Sequence, residues 1–241
     1  MIRIAHAAGN RPERLERALK AGVDLVEVDA RFRGGDVWVR HEHRLGLLPL
    51  LYNHRLTGIH REGPFALSVG PHFFRLDVRR LRFEDVAARV RGRAGLLVDL
   101  KAGNYRPAEA RRFVEAVLRT LEDFPGMLDF CGSWPLLDLV RTAKPGLPLH
   151  YSVDRQADWA ALQARMGGPA QPPGVSLHPR LLTEERALAL HGAGVELYCW
   201  DIEDRAGAER VLALGAAGII ADDLDLLRSL AGRPVRLPGA A

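Results

Sequence analysis

The sequence predicts an α/β chain folded as a (β/α)8 TIM barrel, on three observations. Short β-type runs alternate with helical patterns through most of the chain, glycines mark the helix-to-strand returns, and 241 residues suit one barrel. The candidate strands are 2–6, 24–30, 96–101, 128–133, 147–153, 174–178, 195–201 and 217–222. Helical patterns lie between and after them, near 12–21, 82–91, 107–122, 135–143, 155–166, 183–192, 204–214 and 223–231. The segment 183–192 shows the logic of one element: Thr183 caps, acids follow, and Gly192 stops the helix. Gly22, Gly194, Gly215 and Gly218 punctuate the returns to strand.

Two segments break the alternation. Residues 31–42 read RFRGGDVWVRHE, in which Gly34-Gly35 between β-rich arms signals a hairpin after the second strand. Residues 44–80 carry several glycines and prolines and read as an insertion over the barrel mouth. No linker divides the chain, so residues 1–232 are expected to form a single barrel domain, with 233–241 as a flexible tail.

Bulk properties narrow the function. Hydrophobic residues make up 47% of the chain and mean hydropathy is −0.09, which fits a water-soluble globule. No run approaches the ~20 apolar residues of a membrane span, and the N-terminus begins at once with a strand pattern. Those features lead to the expectation of a cytoplasmic protein without a transmembrane segment. Net charge is +4, almost all of the base being arginine, with lysine only at 20, 101 and 144. The arginines are interleaved with acids along helices and read as solvated faces, not as a nucleic-acid patch. Cys131 and Cys199 sit in apolar strand-like runs and read as buried free thiols.

The candidate site follows from strand parity. Side chains at i and i+2 of a strand share a face. Val26 and Val28 suit the apolar outer wall of a barrel, so Glu27 and Asp29 point inward near the end of the second strand, where barrel active sites lie. The same parity puts His6 inward at the end of the first strand and Asp99 and Lys101 inward at the end of the third. A turn centred on Gly34-Gly35 brings His41 back to the level of Asp29. Each residue has a plainer reading. His6 could be a satisfied barrel-end histidine, and His41 could be surface. Glu27 and Asp29 could pair with arginines, and Asp99 with Lys101 could be an internal salt bridge. Their convergence on three strands and a hairpin favours one site.

Three carboxylates gathered at one mouth repel one another. A divalent cation resolves the repulsion, and all-oxygen ligands suit Mg2+ or Ca2+. A cation flanked by two histidines and a lysine suits phosphate chemistry. Lys101 would neutralise phosphoryl oxygens. One histidine would act as base or nucleophile, and the other would protonate the leaving alkoxide.

These residues resemble the glycerophosphodiester phosphodiesterase family, a PLC-like phosphodiesterase TIM barrel. In IAHAAGNRPERLERALKAG, His6 and Pro12-Glu13 match that family's opening strand and its Pro-Glu. In VEVDARFRGGDVWVRHE, Glu27, Asp29 and His41 match its Glu-x-Asp strand and following histidine. LLVDLKAG supplies Asp99 and Lys101 for its acid-x-Lys strand, and CGSW resembles its Ser-aromatic strand end. LYCWDIED resembles its Trp strand, and LGAAGIIADD its closing Gly-x-x-Gly-Ile-x-x-Asp. The resemblance implies a metal-dependent phosphodiesterase that cleaves glycerophosphodiesters to glycerol 3-phosphate and an alcohol. It implies His6 and His41 as the acid/base pair, Glu27, Asp29 and Asp99 as metal ligands, and Lys101 and Trp200 as substrate contacts. The partner it implies is a small-molecule or lipid-derived phosphodiester; neither the residues nor the resemblance sets an oligomeric state.

Four of the family's motifs are altered here. The arginine expected after the first histidine is Ala7, for which Arg44 is a candidate substitute. The third acid is Asp99 in place of Glu, as in the related sphingomyelinase D-type phospholipases D. His-Asp has become His41-Glu42, and Trp-Thr-Val-Asn has become Trp200-Asp201-Ile202-Glu203. Two alternatives follow. Leu47, Leu48, Leu50, Leu51 and Tyr52 could form an apolar groove for a lysophospholipase D-like activity. Loss of the arginine at position 7 would suit a weakened barrel that only binds phosphorylated ligands.

Overall fold

Apolar runs of four to six residues bounded by glycine or acid become the wall of the molecule. The computed structural model describes residues 1–41 and 81–233 in full, and between them only the backbone of four short strands. Among the described residues, eight parallel strands close on one another. They are β1 (Ile2–Ala5), β2 (Leu25–Arg33), β9 (Gly95–Leu100), β10 (Leu128–Gly132), β11 (Leu149–Val153), β12 (Gly174–Leu177), β13 (Glu196–Trp200) and β14 (Gly218–Ala221). Closure comes from β1, which pairs with β2 through Ile4 and Leu25 and with β14 through Ile2 and Gly218.

Helices alternate with these strands: α1 (Pro12–Ala21), α2 (Phe83–Val90), α3 (Pro107–Thr120), α4 (Trp134–Ala143), α5 (Gln156–Arg165), α6 (Glu184–Gly192), α7 (Arg205–Ala213) and α8 (Leu224–Ser229). Thr183 caps α6 as expected, accepting from the Arg186 N–H. Two further caps come from Asp204, which accepts from the Gly207 N–H, and Asp223, which accepts from the N–H groups of Asp225 and Leu226. Pro12 starts α1, and Gly22 ends it at φ +67°, where a side chain would be strained. Gly192 is the last residue of α6, but the left-handed turn that reverses the chain falls two residues later, at Gly194. Gly218 is not a return either. It is the first residue of β14, and a Cβ there would lie 2.6 Å from the Tyr198 ring.

Strand parity divides the core in two. Val26, Val28 and Ala30 face outward and pack with Leu96, Val98 and Leu100 against helical residues such as Phe113, Val117 and Leu137. Ile4, Leu25, Leu97, Cys131, Tyr198 and Ile220 fill the barrel itself. Each buried aliphatic side chain contributes about 1.5–3 kcal/mol. Both cysteines are free and buried, as expected.

The hairpin forms where Gly34-Gly35 predicts it. β2 runs past the barrel wall and pairs antiparallel with β3 (Asp36–Val39), from Arg33 opposite Asp36 to Ala30 opposite Val39. Both turn glycines are left-handed, at φ +64° and +90°, which a two-residue turn of this hand requires. β3 then pairs with β8 (Leu81–Arg82). Between them, β4 (His43–Arg44), β5 (Leu51–Asn53), β6 (Ala66–Val69) and β7 (His72–Arg75) pair as a separate antiparallel sheet in the order β4-β5-β7-β6. The expected apolar groove and the substitute Arg44 concern side chains outside the described residues, as do Glu42 and residues 234–241.

Candidate active site

The carboxyl ends of β1, β2 and β9 meet as strand parity requires. Asp29 stands beside Asp99 in the parallel register of β2 and β9, and Glu27 points inward from the same face of β2. One carboxylate oxygen from each of Glu27, Asp29 and Asp99 lies within 4.8 Å of the others. Glu27 is 3% exposed and Asp29 1%. Two glycines make room for this. Gly132 sits at φ +107°, and a Cβ there would lie 2.2 Å from Asp99 Oδ1. At Gly9 a Cβ would lie 2.8 Å from Val28 Cβ, so its absence lets the loop after β1 rest on β2.

That loop supplies donors to the acids. The Ala7 N–H donates to Glu27 Oε2, with Ala7 itself left-handed at φ +45°. Asn10 Nδ2 donates to Asp29 Oδ2 at 2.5 Å, and Asn10 Oδ1 accepts from the Asp29 N–H at 3.0 Å. Lys101 Nζ lies 2.6 Å from Asp29 Oδ1 and 2.5 Å from Asp99 Oδ2. The internal salt bridge weighed from sequence therefore exists, and it is part of the site.

His6 ends β1 with Nδ1 2.9 Å from Asp222 Oδ1. Asp222 follows β14, and Arg14 of α1 donates to its carbonyl at 2.8 Å and to its carboxylate at 3.1 Å. Arg14 is 5% exposed, so at least one arginine departs from the expectation of solvated faces. His41 returns down the hairpin. The Arg40 N–H donates to the Asp29 carbonyl at 3.0 Å, and Arg31 donates to the His41 carbonyl at 2.9 Å. His41 is close enough for its charge to act on Asp29.

The electrostatics are those of a crowded acidic pocket. Burial and the Asp29 charge push the Glu27 carboxyl up to about 8. Burial also raises Asp99. Asp29 moves the other way, because Lys101, His41 and Asn10 favour its ionised form more than burial opposes it. For His6, burial opposes the imidazolium, but the hydrogen bond to Asp222 and the charges of Glu27, Asp222 and Asp29 outweigh it and raise the pKa to about 9. Lys101 is also raised, its burial outweighed by the charges of Asp29, Asp99 and Glu27. Were all three acids ionised they would outweigh the Lys101 ammonium, and the raised Glu27 and Asp99 carboxyls reflect that repulsion. Hard oxygen donors carrying excess charge fit a divalent cation.

A cavity of about 600 Å³ opens above this cluster. His6, Glu27, His41, Asp99, Lys101 and Trp200 all line it, while Asp29 is buried beneath. Six of the seven site residues expected from sequence thus meet one space, and the seventh supports it. The parity argument stopped short of Asp222, Asn10 and Arg14. It could have found Asp222, which shares a face with Gly218 and Ile220. No local signal marks Asn10 or Arg14, because each acts on a residue from a distant element.

Comparison with protein-family models and with curated sequences gives no match. Solved structures do share the fold. A protein of Silicibacter pomeroyi assigned as a glycerophosphoryl diester phosphodiesterase aligns at TM-score 0.73 and 19% identity, over 94% of this chain and 91% of its own. An Oleispira antarctica phosphodiesterase, solved with the product sn-glycerol-3-phosphate, aligns at TM-score 0.66 and 16% identity, over 95% and 96%. A calcium-dependent phosphoinositol-specific phospholipase C from Pseudomonas aligns at TM-score 0.53 and 11% identity, over 93% and 89%. At such identities the likeness is one of fold: a TIM barrel.

Proposed function

We propose that the chain is a divalent-cation-dependent phosphodiesterase that hydrolyses glycerophosphodiesters to glycerol 3-phosphate and an alcohol. The observation that carries this reading is the convergence of His6 and His41 on one cavity with a close triad of carboxylates, two of them buried. Ligand binding alone needs no pair of proton carriers, so the two histidines favour turnover over a binding-only barrel.

Glu27, Asp29 and Asp99 would hold Mg2+ or Ca2+, whose charge would neutralise phosphoryl oxygens and polarise the phosphorus. The chain's own residues account for the rest. Lys101, already on the cavity wall, attracts the phosphodiester anion and orients a non-bridging oxygen. Asp222 takes up Nδ1 of His6, which leaves Nε2 as the nitrogen that exchanges a proton with substrate. One histidine takes the proton of the attacking water, and the other gives a proton to the departing alkoxide. Water and diester are consumed, and glycerol 3-phosphate and free alcohol leave. Trp200 lines the same pocket. Among the described residues no helix is long and apolar enough to cross a membrane.

The test is release of glycerol 3-phosphate from glycerophosphodiesters with and without EDTA. His6→Ala and His41→Ala should each lower the rate by roughly 10²–10⁴. Turnover that survives EDTA, or near-normal activity in either variant, overturns the reading.

A further inference from the structure

The cavity extends beyond the carboxylates to a second wall, built by β10, β11 and β12. Parallel register sets Gly132 beside Tyr151 and Ser152 beside Ser176. One residue further, Ser133 stands level with Ser152, and its N–H bonds the Leu100 carbonyl next to Lys101. Lys101, Ser133, Ser152 and Ser176 therefore form a row along one level of the mouth, and all four line the cavity. Ser176 is 3% exposed. Among the described residues none of the three serine hydroxyls has a hydrogen-bond partner. Even Ser133, at the start of α4, does not cap its helix. All three serines line the open cavity, so their hydroxyls are available to a ligand there.

Two aromatic rings frame the row. Trp134 Nε1 donates to the Ser152 carbonyl at 2.8 Å, and Trp200 Nε1 to the Ser176 carbonyl at 3.2 Å. Both indoles are pinned by their polar edge and present carbon surface to the cavity. The charges at this end are already matched. Asp154 pairs with Arg180 at 2.9 Å, Asp158 pairs with Arg155 at 3.2 Å, and Arg165 lies 4.8 Å from the Trp134 ring centre. The remaining carboxylate, Asp201, belongs to the other end, within 4.8 Å of His6 and Asp222 atoms.

We propose that this wall is a subsite for a neutral, polyhydroxylated alcohol, the second alcohol of the diester on the reading above. Each serine both donates and accepts, as a polyol hydroxyl does, and the indole carbons suit the C–H faces of a polyol. Guanidinium groups hold Asp154, Asp158 and Trp134, which leaves the Trp200 face as the one bare aromatic surface among the described cavity residues, so the serine row is what favours a polyol over a quaternary ammonium group. An acyl chain would bury the three hydroxyls unpaired.

The test uses the full chain with phosphate-free probes. Saturation-transfer NMR with myo-inositol and with choline reads the subsite directly. Relative kcat/KM on glycerophosphoinositol and glycerophosphocholine reads it through turnover. Myo-inositol should bind and choline should not, and the inositol diester should be preferred about tenfold. Ser152→Ala with Ser176→Ala should remove inositol binding and bring the preference toward unity; Ser152→Ala alone serves if the pair melts early. Absence of inositol binding, equal or better binding of choline, or an intact preference in the variants overturns the subsite. If neither diester is hydrolysed, the phosphodiesterase reading fails, while inositol binding and its loss still decide the subsite.

Discussion

Asp222→Asn tests whether His6 acts through its carboxylate partner. Two side chains converge on Asp222 Oδ1, His6 Nδ1 at 2.9 Å and Arg14 Nη2 at 3.1 Å, and the histidine side chain is 17% exposed. The contact is therefore a shielded, charge-assisted hydrogen bond. Such bonds contribute about 1.5–3 kcal/mol. If it strengthens as positive charge develops on the ring, its loss lowers kcat about 10–10²-fold, at ~1.4 kcal/mol per decade. Asparagine keeps the shape and one acceptor oxygen, so KM should change little. The Asp222 hydrogen bond is also a main reason that the His6 pKa rises to about 9 against burial. Its loss should move the pH limb governed by His6 to lower pH. The assay is initial-rate kinetics on a glycerophosphodiester at saturating cation from pH 5 to 10. A variant with kcat within about twofold of wild type and a superimposable pH profile would refute the reasoning, whatever its melting temperature.

Three further outcomes follow from the same geometry. Gly132→Ala places a Cβ 2.2 Å from Asp99 Oδ1 at φ +107°; it should cost about 1–3 kcal/mol of stability and weaken cation binding about 10–10²-fold, read by thermal melting and metal titration. Asn10→Ala removes both hydrogen bonds that bracket Asp29; weaker cation affinity with a modest drop in melting temperature is expected, and unchanged affinity counts against Asn10 as an orienting residue. In the cation-free chain, folding raises Glu27 from 4.5 to about 8 and His6 from 6.5 to about 9, so the native state binds more protons than the unfolded one between those values. Stability should therefore fall as pH rises from about 5 to 9, and added Mg2+ or Ca2+ should restore it most at the alkaline end; a flat or rising melting curve in EDTA would contradict the charge balance of the triad.

The sequence by itself determined the barrel, its order of elements and the inward set of acids. Each of these rests on a local rule. A strand's side chains alternate whatever lies beside it, so Glu27 and Asp29 could be assigned to one face from Val26 and Val28 alone. A pair of glycines with positive φ turns a hairpin wherever it stands, which is why His41 could be returned to Asp29 from Gly34-Gly35. What the sequence left open is everything fixed by closure of the cylinder. His6 and Asp222 are 216 residues apart and meet because β1 pairs with β14. Arg14 and Asn10, read locally as helix surface and loop, turn inward because the segment after β1 packs on β2 and the end of β14. The serine row is the same kind of fact, three residues unremarkable in their own strands, brought level by the register of β10, β11 and β12. Only the tertiary structure decided these contacts, because register and closure depend on every strand at once.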